Sequence, residues 1–156
     1  MSGNILIMAI ALVSGPRLEP ADVLDGFITA VATADTAAAL DLLSPVAFET
    51  VGRMIERDPA LLCRLASGFG VQLQPSDIEG MDGRGFVAVL VSSPALSGMV
   101  AFAGYDIGPV EIDGSTARVG LEYSILGSSD TISVAMVRED GRWLIADYFG
   151  TAGGGI

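Results

Sequence analysis

The chain of 156 residues contains no histidine and no lysine, and it has one cysteine. Without histidine, Ser-His and Cys-His nucleophile systems, histidine zinc sites and the most common general base are excluded. Without lysine, Schiff-base chemistry and the lysine of the nucleotide-binding phosphate loop are excluded. Cys63 cannot form an internal disulfide, and its apolar position on a predicted helix favours a buried structural thiol.

Positive charge is scarce. The eight basic residues are all arginines, no two of them adjacent, and 19 acidic residues bring the net charge to −11. A phosphate backbone or an anionic membrane surface would be repelled, so we expect no nucleic-acid partner. The acids are dispersed and follow no calcium-loop spacing, so we predict no metal site and no cofactor.

Apolar residues, by contrast, are abundant. They make up 51% of a chain whose length is typical of one domain, and the mean hydropathy is +0.56. This excess needs an oligomer interface, an apolar pocket or a membrane contact to cover it. We predict a homodimer, and a pocket for a small apolar ligand as a further or alternative destination.

Two uncharged runs need interpretation. Ile5 to Val13 has the length of a signal core, but no basic residue precedes it and Pro16 follows closely. A packed element and a signal remnant both stay open, and so do a cytoplasmic location and export to the cell envelope. Gly85 to Tyr105 is long enough to span a membrane, but Ser92-Ser93-Pro94 interrupts it. We predict two short helices there and no membrane span.

The first half of the chain has the pattern of helices. Apolar residues recur at helical spacing after Pro20, and three further helices are predicted to start at Asp35 or Thr36, at Ser44-Pro45 and at Asp58-Pro59. Two weaker predictions follow these helices. Residues 71–74 are predicted as a short strand and residues 77–83 as a turn-rich connection.

From Ile107 onward the apolar period changes to two, which is typical of strands. Turn signals at Asp113-Gly114, 127–130 and 139–141 divide this region into an antiparallel meander of four strands. Helices first and strands last predict an α+β fold in which the helices cover the apolar face of the sheet. We assign an apolar N-terminal segment (1–17), one domain (18–150) and a flexible tail (151–156).

The segments VEIDGSTARVGLEYSI and TISVAMVREDGRWLIADYF, together with the helix after Pro20, resemble small bacterial members of the nuclear transport factor 2-like superfamily. This resemblance covers about residues 18 to 149. It implies a cystatin-like cone fold, in which a curved antiparallel sheet of about four to six strands surrounds a pocket, and frequent dimerisation. Members include isomerases, dehydratases, polyketide cyclases, epoxide hydrolases and proteins without known activity.

Isomerase-like members pair an aspartate base with a tyrosine in an apolar pocket. The candidates here are Tyr105, Asp106, Tyr123, Asp147 and Tyr148. Strand parity places Tyr123 and Asp147 toward the core, so they are the first choices for an oxyanion donor and a base. The alternatives are a core tyrosine for Tyr123, a solvated strand end for Asp147 and a turn residue for Asp106. All three alternatives are favoured over a catalytic role.

Epoxide hydrolase-like members use an Asp-Arg-Asp arrangement. Arg118, Arg138 and Arg142 lie on predicted strands, but with the parity of the solvent face or beside a turn. We interpret them as solvated arginines, and no catalytic role follows.

The leading hypothesis is therefore a non-catalytic domain that dimerises, binds a small apolar ligand, or does both. The predicted ligand-binding residues are Tyr105, Tyr123, Trp143 and Asp147. The alternative is a cofactor-independent isomerase, dehydratase or cyclase that uses Asp147 and Tyr123. A third hypothesis, an extracytoplasmic accessory domain, rests on Ile5 to Val13 alone.

Two structural predictions accompany these hypotheses. Trp143 and Ile145 should be buried, because they follow a hairpin turn on a central apolar strand. Leu144 and Ala146 have the opposite parity and are also apolar. We therefore expect the second face of this strand to pack on another copy of the chain.

Overall fold

The structure is a computed structural model and describes residues 18–125 and 127–147. The predictions for Ile5 to Val13, Tyr148 and the tail at 151–156 lie outside the described residues. Within the described residues, the helices come first and the strands last. The α+β class predicted from the sequence is therefore confirmed.

The described residues form seven helices and four strands. The helices are α1 (Pro20–Ala32), α2 (Thr36–Asp41), α3 (Pro45–Arg57), α4 (Pro59–Gly68), α5 (Pro75–Ile78), α6 (Gly83–Val91) and α7 (Pro94–Phe102). The strands are β1 (Gly104–Asp113), β2 (Thr116–Ile125), β3 (Ser128–Glu139) and β4 (Arg142–Asp147).

The predicted helix starts are confirmed, and the side chains before them explain why the helices begin there. The Asp35 carboxylate accepts a hydrogen bond from the Ala38 amide at 3.2 Å, and Asp58 caps α4 in the same way at 3.1 Å. The Ser44 hydroxyl accepts from the Val46 amide at 3.2 Å. Each of these bonds satisfies an amide that has no partner within its helix.

Of the weaker predictions between α4 and α6, the short strand is wrong, and the turn-rich connection is right only for part of its length. Residues 71–74 form no strand, and the single helical turn α5 interrupts the predicted turn-rich connection. The physical reason is a reciprocal cap, in which the Gln74 amide donates to the Asp77 carboxylate at 2.8 Å and the Gln74 side chain accepts in return. Pro75 occupies the first position of the turn, where a missing amide hydrogen costs nothing.

The sheet is an antiparallel meander in the order β1-β2-β3-β4, as predicted. Its first strand begins at Gly104, three residues before the predicted start. Asp106 therefore lies inside β1, opposite Glu122, and the interpretation of Asp106 as a turn residue is wrong. The register shifts between Ile107 and Val110, where Gly108-Pro109 interrupts the ladder without ending the strand.

The connection between α2 and α3 covers the edge of β4. Leu43 forms a parallel bridge with Ile145, supported by hydrogen bonds of 2.8 Å from the Ser44 amide to the Ile145 carbonyl and from the Ile145 amide to the Leu42 carbonyl. The amide and the carbonyl of Ile145 at this edge are thus satisfied by a segment from the helical half of the chain. This connection ties the two halves together.

The core consists of two apolar clusters. The larger lies between α1, α2 and the inner face of the sheet, and the smaller lies among α3, α4, α5 and α6. Trp143 and Ile145 belong to the larger cluster and are 7% and 0% exposed, which confirms their predicted burial. Helices cover the inner face, as expected from the alternation of β2 and β3.

A β-bulge in the last strand changes the predicted parity. Met136 pairs with Ile145, and its neighbour Ala135 pairs with Asp147, so Ala146 is the extra residue. Ile145, Ala146 and Asp147 are consequently three consecutive buried residues. The assignment of Ala146 to the opposite face assumed unbroken alternation, and it is wrong.

Two short helices fill the second uncharged run, as predicted. Helices α6 and α7 are separated by Ser92 and Ser93 and meet at an angle of 62°. No single helix among the described residues is long and apolar enough to cross a membrane. This bent pair would satisfy that test only if its two helices were counted together.

Candidate functional site

A cavity of about 320 Å³ lies between the helices and the inner face of the sheet. Its wall is almost entirely apolar, and the polar residues on it are Thr50, Tyr105, Tyr123 and Asp147. The apolar lining residues are Phe27, Ile28, Val31, Leu43, Ala47, Val51, Met54, Phe69, Val87, Leu90, Val91, Leu96, Met99, Val100, Ala103, Leu121, Ile132 and Ala146.

Tyr105 and Tyr123 stand side by side on this wall. They are directly paired residues of β1 and β2, so their Cβ atoms lie about 4.5–5.5 Å apart on one face of the sheet. Tyr123 is half-buried, whereas Tyr105 is 37% exposed. Because Tyr105 both lines the cavity and contacts solvent, it marks the mouth of the cavity.

The hydroxyl of Tyr105 has a defined partner on α1. It donates a hydrogen bond of 2.6 Å to the Oδ1 atom of Asp25, an exposed carboxylate. This bond raises the pKa of Tyr105 above its ordinary value, and slight burial and the charge of Asp25 add to the effect, while Thr29 opposes it. The phenol therefore stays protonated and keeps donating its hydrogen bond to the Asp25 carboxylate.

Asp147 lies on the cavity wall and is 5% exposed. The interpretation of Asp147 as a solvated strand end is therefore wrong. An aspartate that follows an apolar alternation more often marks the solvated end of a strand. The bulge at Ala146 and the helices packed over β4 instead bury the end of the strand.

The structure brings three of the four predicted ligand-binding residues to one cavity. They are Tyr105, Tyr123 and Asp147. Trp143 is not among the residues that line it. Its side chain packs in the larger core cluster, and the Arg138 guanidinium lies 5.9 Å from the centre of its ring.

The strand arginines are exposed, as predicted. Arg118, Arg138 and Arg142 all contact solvent, and Arg142 forms an ion pair of 3.1 Å with Asp41 at the surface. None of them lines the cavity. Among the described residues there is also no group of three or more acidic or cysteine side chains that could hold a metal ion.

Asp25 and Thr50 were not predicted as site residues. Asp25 is an exposed residue of α1, beyond the first turn that holds Asp22, and Thr50 interrupts the apolar stripe of α3. Of these two residues, only Thr50 differs from its neighbours in the sequence pattern, as a polar residue within an apolar stripe. The pairing of Asp25 with Tyr105 joins residues 80 positions apart, which no local pattern reports.

Helix α7 closes one side of the cavity. Leu96, Met99 and Val100 line the cavity, yet no residue of this nine-residue helix is fully buried. Phe102, at its end, is 93% exposed. The helix is thus held by one face and open to solvent on the other.

Comparisons with protein-family models, with curated proteins and with solved structures found no match to this chain. What the structure shows is an α+β fold with an open four-stranded sheet. Membership of the nuclear transport factor 2-like superfamily stays a proposal.

Proposed function

We propose that this domain binds a small, mainly apolar ligand in the cavity under the sheet. The observation that carries the proposal is a preformed cavity of about 320 Å³ whose wall is apolar apart from a few polar side chains. This volume falls at the lower end of the range of small-molecule sites, and sparse polar groups on an apolar wall are typical of them. Met54 and Met99 give the wall side chains that can adapt to a ligand.

The test is binding of N-phenyl-1-naphthylamine, an uncharged apolar dye that fluoresces when it leaves water. We expect saturable fluorescence with the wild type and about a tenfold weaker dissociation constant for Val100→Trp, because the indole would fill space in the cavity. Ala101→Trp is the matched control, since Ala101 is the next residue on α7, is exposed and does not line the cavity.

Equal dye binding by Val100→Trp and Ala101→Trp, or no saturable binding by the wild type, would contradict the proposal. Thermal unfolding of both variants, followed by circular dichroism, checks that each is folded.

The order of elements supports the further proposal of a nuclear transport factor 2-like domain, because helices first and an antiparallel meander last is the order that the resemblance implies.

A cofactor-independent enzyme is the second candidate. It is favoured by Asp147 and Tyr123 lining the same cavity, with Asp147 buried there. A carboxylate base beside a phenol donor can remove a proton next to a carbonyl group. Incubation with a cyclic ketone in deuterium oxide tests this. Exchange at the α-carbon that exceeds the buffer rate and disappears in Asp147→Asn would favour the enzyme, whereas the binding proposal expects no excess exchange.

Homodimerisation through the outer face of the sheet is a separate proposal. Its support is an apolar strip formed by Leu144 and its cross-strand partner Val137, with Ala135 two residues away on β3. We expect a dimer in sedimentation equilibrium, and Val137→Arg should dissociate it by placing a charge in the interface. Ala101→Arg, which adds the same charge at an exposed position of α7 and not on the sheet, is the control. A wild-type monomer at high micromolar concentration would overturn this proposal.

A further inference from the structure

The polar residues on the described cavity wall are Thr50, Tyr105, Tyr123 and Asp147, and none of them is cationic. The chain has no lysine or histidine, and of its eight arginines only Arg17 lies outside the described residues. None of the other seven lines the cavity. A ligand carboxylate or phosphate would therefore lose its hydration without gaining a positive partner from the described wall.

The mouth of the cavity offers hydrogen-bond acceptors. The Tyr105 hydroxyl already donates to Asp25 at 2.6 Å, so the carboxylate and the phenol oxygen have only lone pairs left to offer a ligand. The Oδ2 atom of Asp25 accepts no other hydrogen bond from the described residues, and Asp25 is exposed to solvent. A ligand group that binds at this point must therefore donate a hydrogen bond.

The aromatic side chains favour a positive donor over a neutral one. Tyr105 and Tyr123 form a cross-strand pair on the wall, and the faces of aromatic rings attract cations. The Asp25 carboxylate adds a full negative charge beside the pair, and the net charge of −11 raises the local concentration of cationic ligands. A hydrogen bond between a protonated amine and a carboxylate is also stronger than one between neutral groups.

We propose that the ligand is a cationic amphiphile, whose apolar body fills the cavity and whose protonated amine binds at the mouth between Asp25 and the paired tyrosines Tyr105 and Tyr123. This inference rests on the proposed function, because it assigns the head group of the ligand that the cavity holds. The same arrangement disfavours a fatty acid or another apolar anion, because none of the described lining residues is cationic.

The experiment compares three molecules with the same eight-carbon chain and different heads, namely octylamine, octanol and octanoate, each displacing N-phenyl-1-naphthylamine near neutral pH. We expect octylamine to displace the dye at about tenfold lower concentration than octanol, with octanoate the weakest. Asp25→Asn should remove most of the preference for octylamine over octanol, because an ammonium loses a charged acceptor there, whereas a hydroxyl loses only the difference between a charged and a neutral acceptor.

Asp106→Asn is the matched control for Asp25→Asn. It changes the net charge by the same amount and is adjacent to Tyr105, but alternation along β1 places it on the outer face, opposite Glu122. It should keep the octylamine preference. If the dye binds and is displaced equally well by all three molecules, or if Asp25→Asn keeps the preference, the head-group proposal is wrong and the binding proposal stands. If the dye does not bind at all, the binding proposal itself fails.

Discussion

At the scale of single residues, burial decides which aromatic side chain serves the fold and which serves the site. Trp143 is 7% exposed and packs in the core cluster, whereas Tyr105 is 37% exposed at the cavity mouth. Both are large and lie on strands, so their sequence patterns are alike. Because Trp143 packs in the core, its substitution tests stability, whereas Tyr105 is tested through the pKa that its hydrogen bond to Asp25 sets.

Trp143→Ala should lower the free energy of unfolding by roughly 3–5 kcal/mol, because it removes a large buried side chain and leaves a cavity. Denaturation by guanidinium chloride, followed by circular dichroism, measures the change. Leu144→Ala, at the half-buried neighbouring position, should cost clearly less. A Trp143→Ala midpoint equal to that of the wild type would contradict the placement of β4 in the core.

The hydrogen bond between Tyr105 and Asp25 should be visible as a pH effect. Since the folded state raises the pKa of Tyr105 above that of the unfolded chain, its contribution to stability is complete below the unfolded pKa of about 10 and is lost as the pH rises through the folded value. Ultraviolet titration, with Tyr105→Phe identifying the signal, measures the midpoint.

Asp25→Asn should lower the Tyr105 midpoint toward the ordinary value, because the charged acceptor is lost. Asp106→Asn should leave it where it is in the wild type. A midpoint that Asp25→Asn and Asp106→Asn shift equally would show that general charge, and not this hydrogen bond, sets the pKa.

At the scale of elements, helix starts and helix crossings explain the packing of the first half. Ser44 is fully buried at the start of α3, where its hydroxyl accepts from the Val46 amide and donates to Glu139 on β3 at 3.3 Å. Helices α3 and α6 cross closely, because Gly83 lies against the backbone of Phe48 and Gly52. Each contact depends on one small residue.

Ser44→Ala should lower the free energy of unfolding by about 1 kcal/mol through loss of this cap. Ser93→Ala provides a matched comparison, because Ser93 also precedes a proline at a helix start but makes no capping hydrogen bond with its side chain. We expect little change for Ser93→Ala in the same urea titration. An equal loss in both variants would argue against the cap.

Gly83→Ala should cost about 3 kcal/mol or more, because a Cβ at this position would overlap the backbone carbonyl of Phe48 and force the helices apart. Gly98→Ala is the control on α7. No atom lies within 4 Å of its added Cβ, so it should stabilise the helix by about 0.5–1 kcal/mol. Thermal unfolding of both variants distinguishes a crossing that excludes side chains from one that tolerates them.

At the scale of the whole molecule, negative charge is poorly compensated. The chain has 19 acidic residues against eight arginines, and the ion pair between Arg142 and Asp41 lies at exposed positions. Asp106 and Glu122 even face each other across β1 and β2. Such self-repulsion destabilises the compact state and is screened by salt.

Raising sodium chloride from about 10 mM to about 200 mM should therefore raise the thermal midpoint of unfolding, because the screening length shortens to below about 10 Å. The double variant Asp106→Asn, Glu122→Gln should show a smaller rise, since two facing charges are gone. A midpoint that falls with salt would mean that attractive ion pairs, and not repulsion, dominate the surface.

Local patterns were sufficient to predict most of the elements of this fold, with the helical turn α5 as an exception. The helix starts at Ser44 and Asp58 combine a capping side chain with a following proline, and both act between neighbouring residues. The hairpin at Asp113-Gly114 likewise depends on the left-handed conformation that Gly114 adopts. The error at 71–74 arose because the reciprocal cap of Gln74 and Asp77 was not recognised.

The sequence by itself determined the α+β class, the order of elements and the burial of Trp143 and Ile145, because these follow from spacing and capping over a few residues. Only the tertiary structure decided the site. The bulge at Ala146, the burial of Asp147 and the bond from Tyr105 to Asp25 depend on elements far apart in the chain. Such contacts arise when α1, α7 and the sheet pack together, and no local pattern encodes their distance.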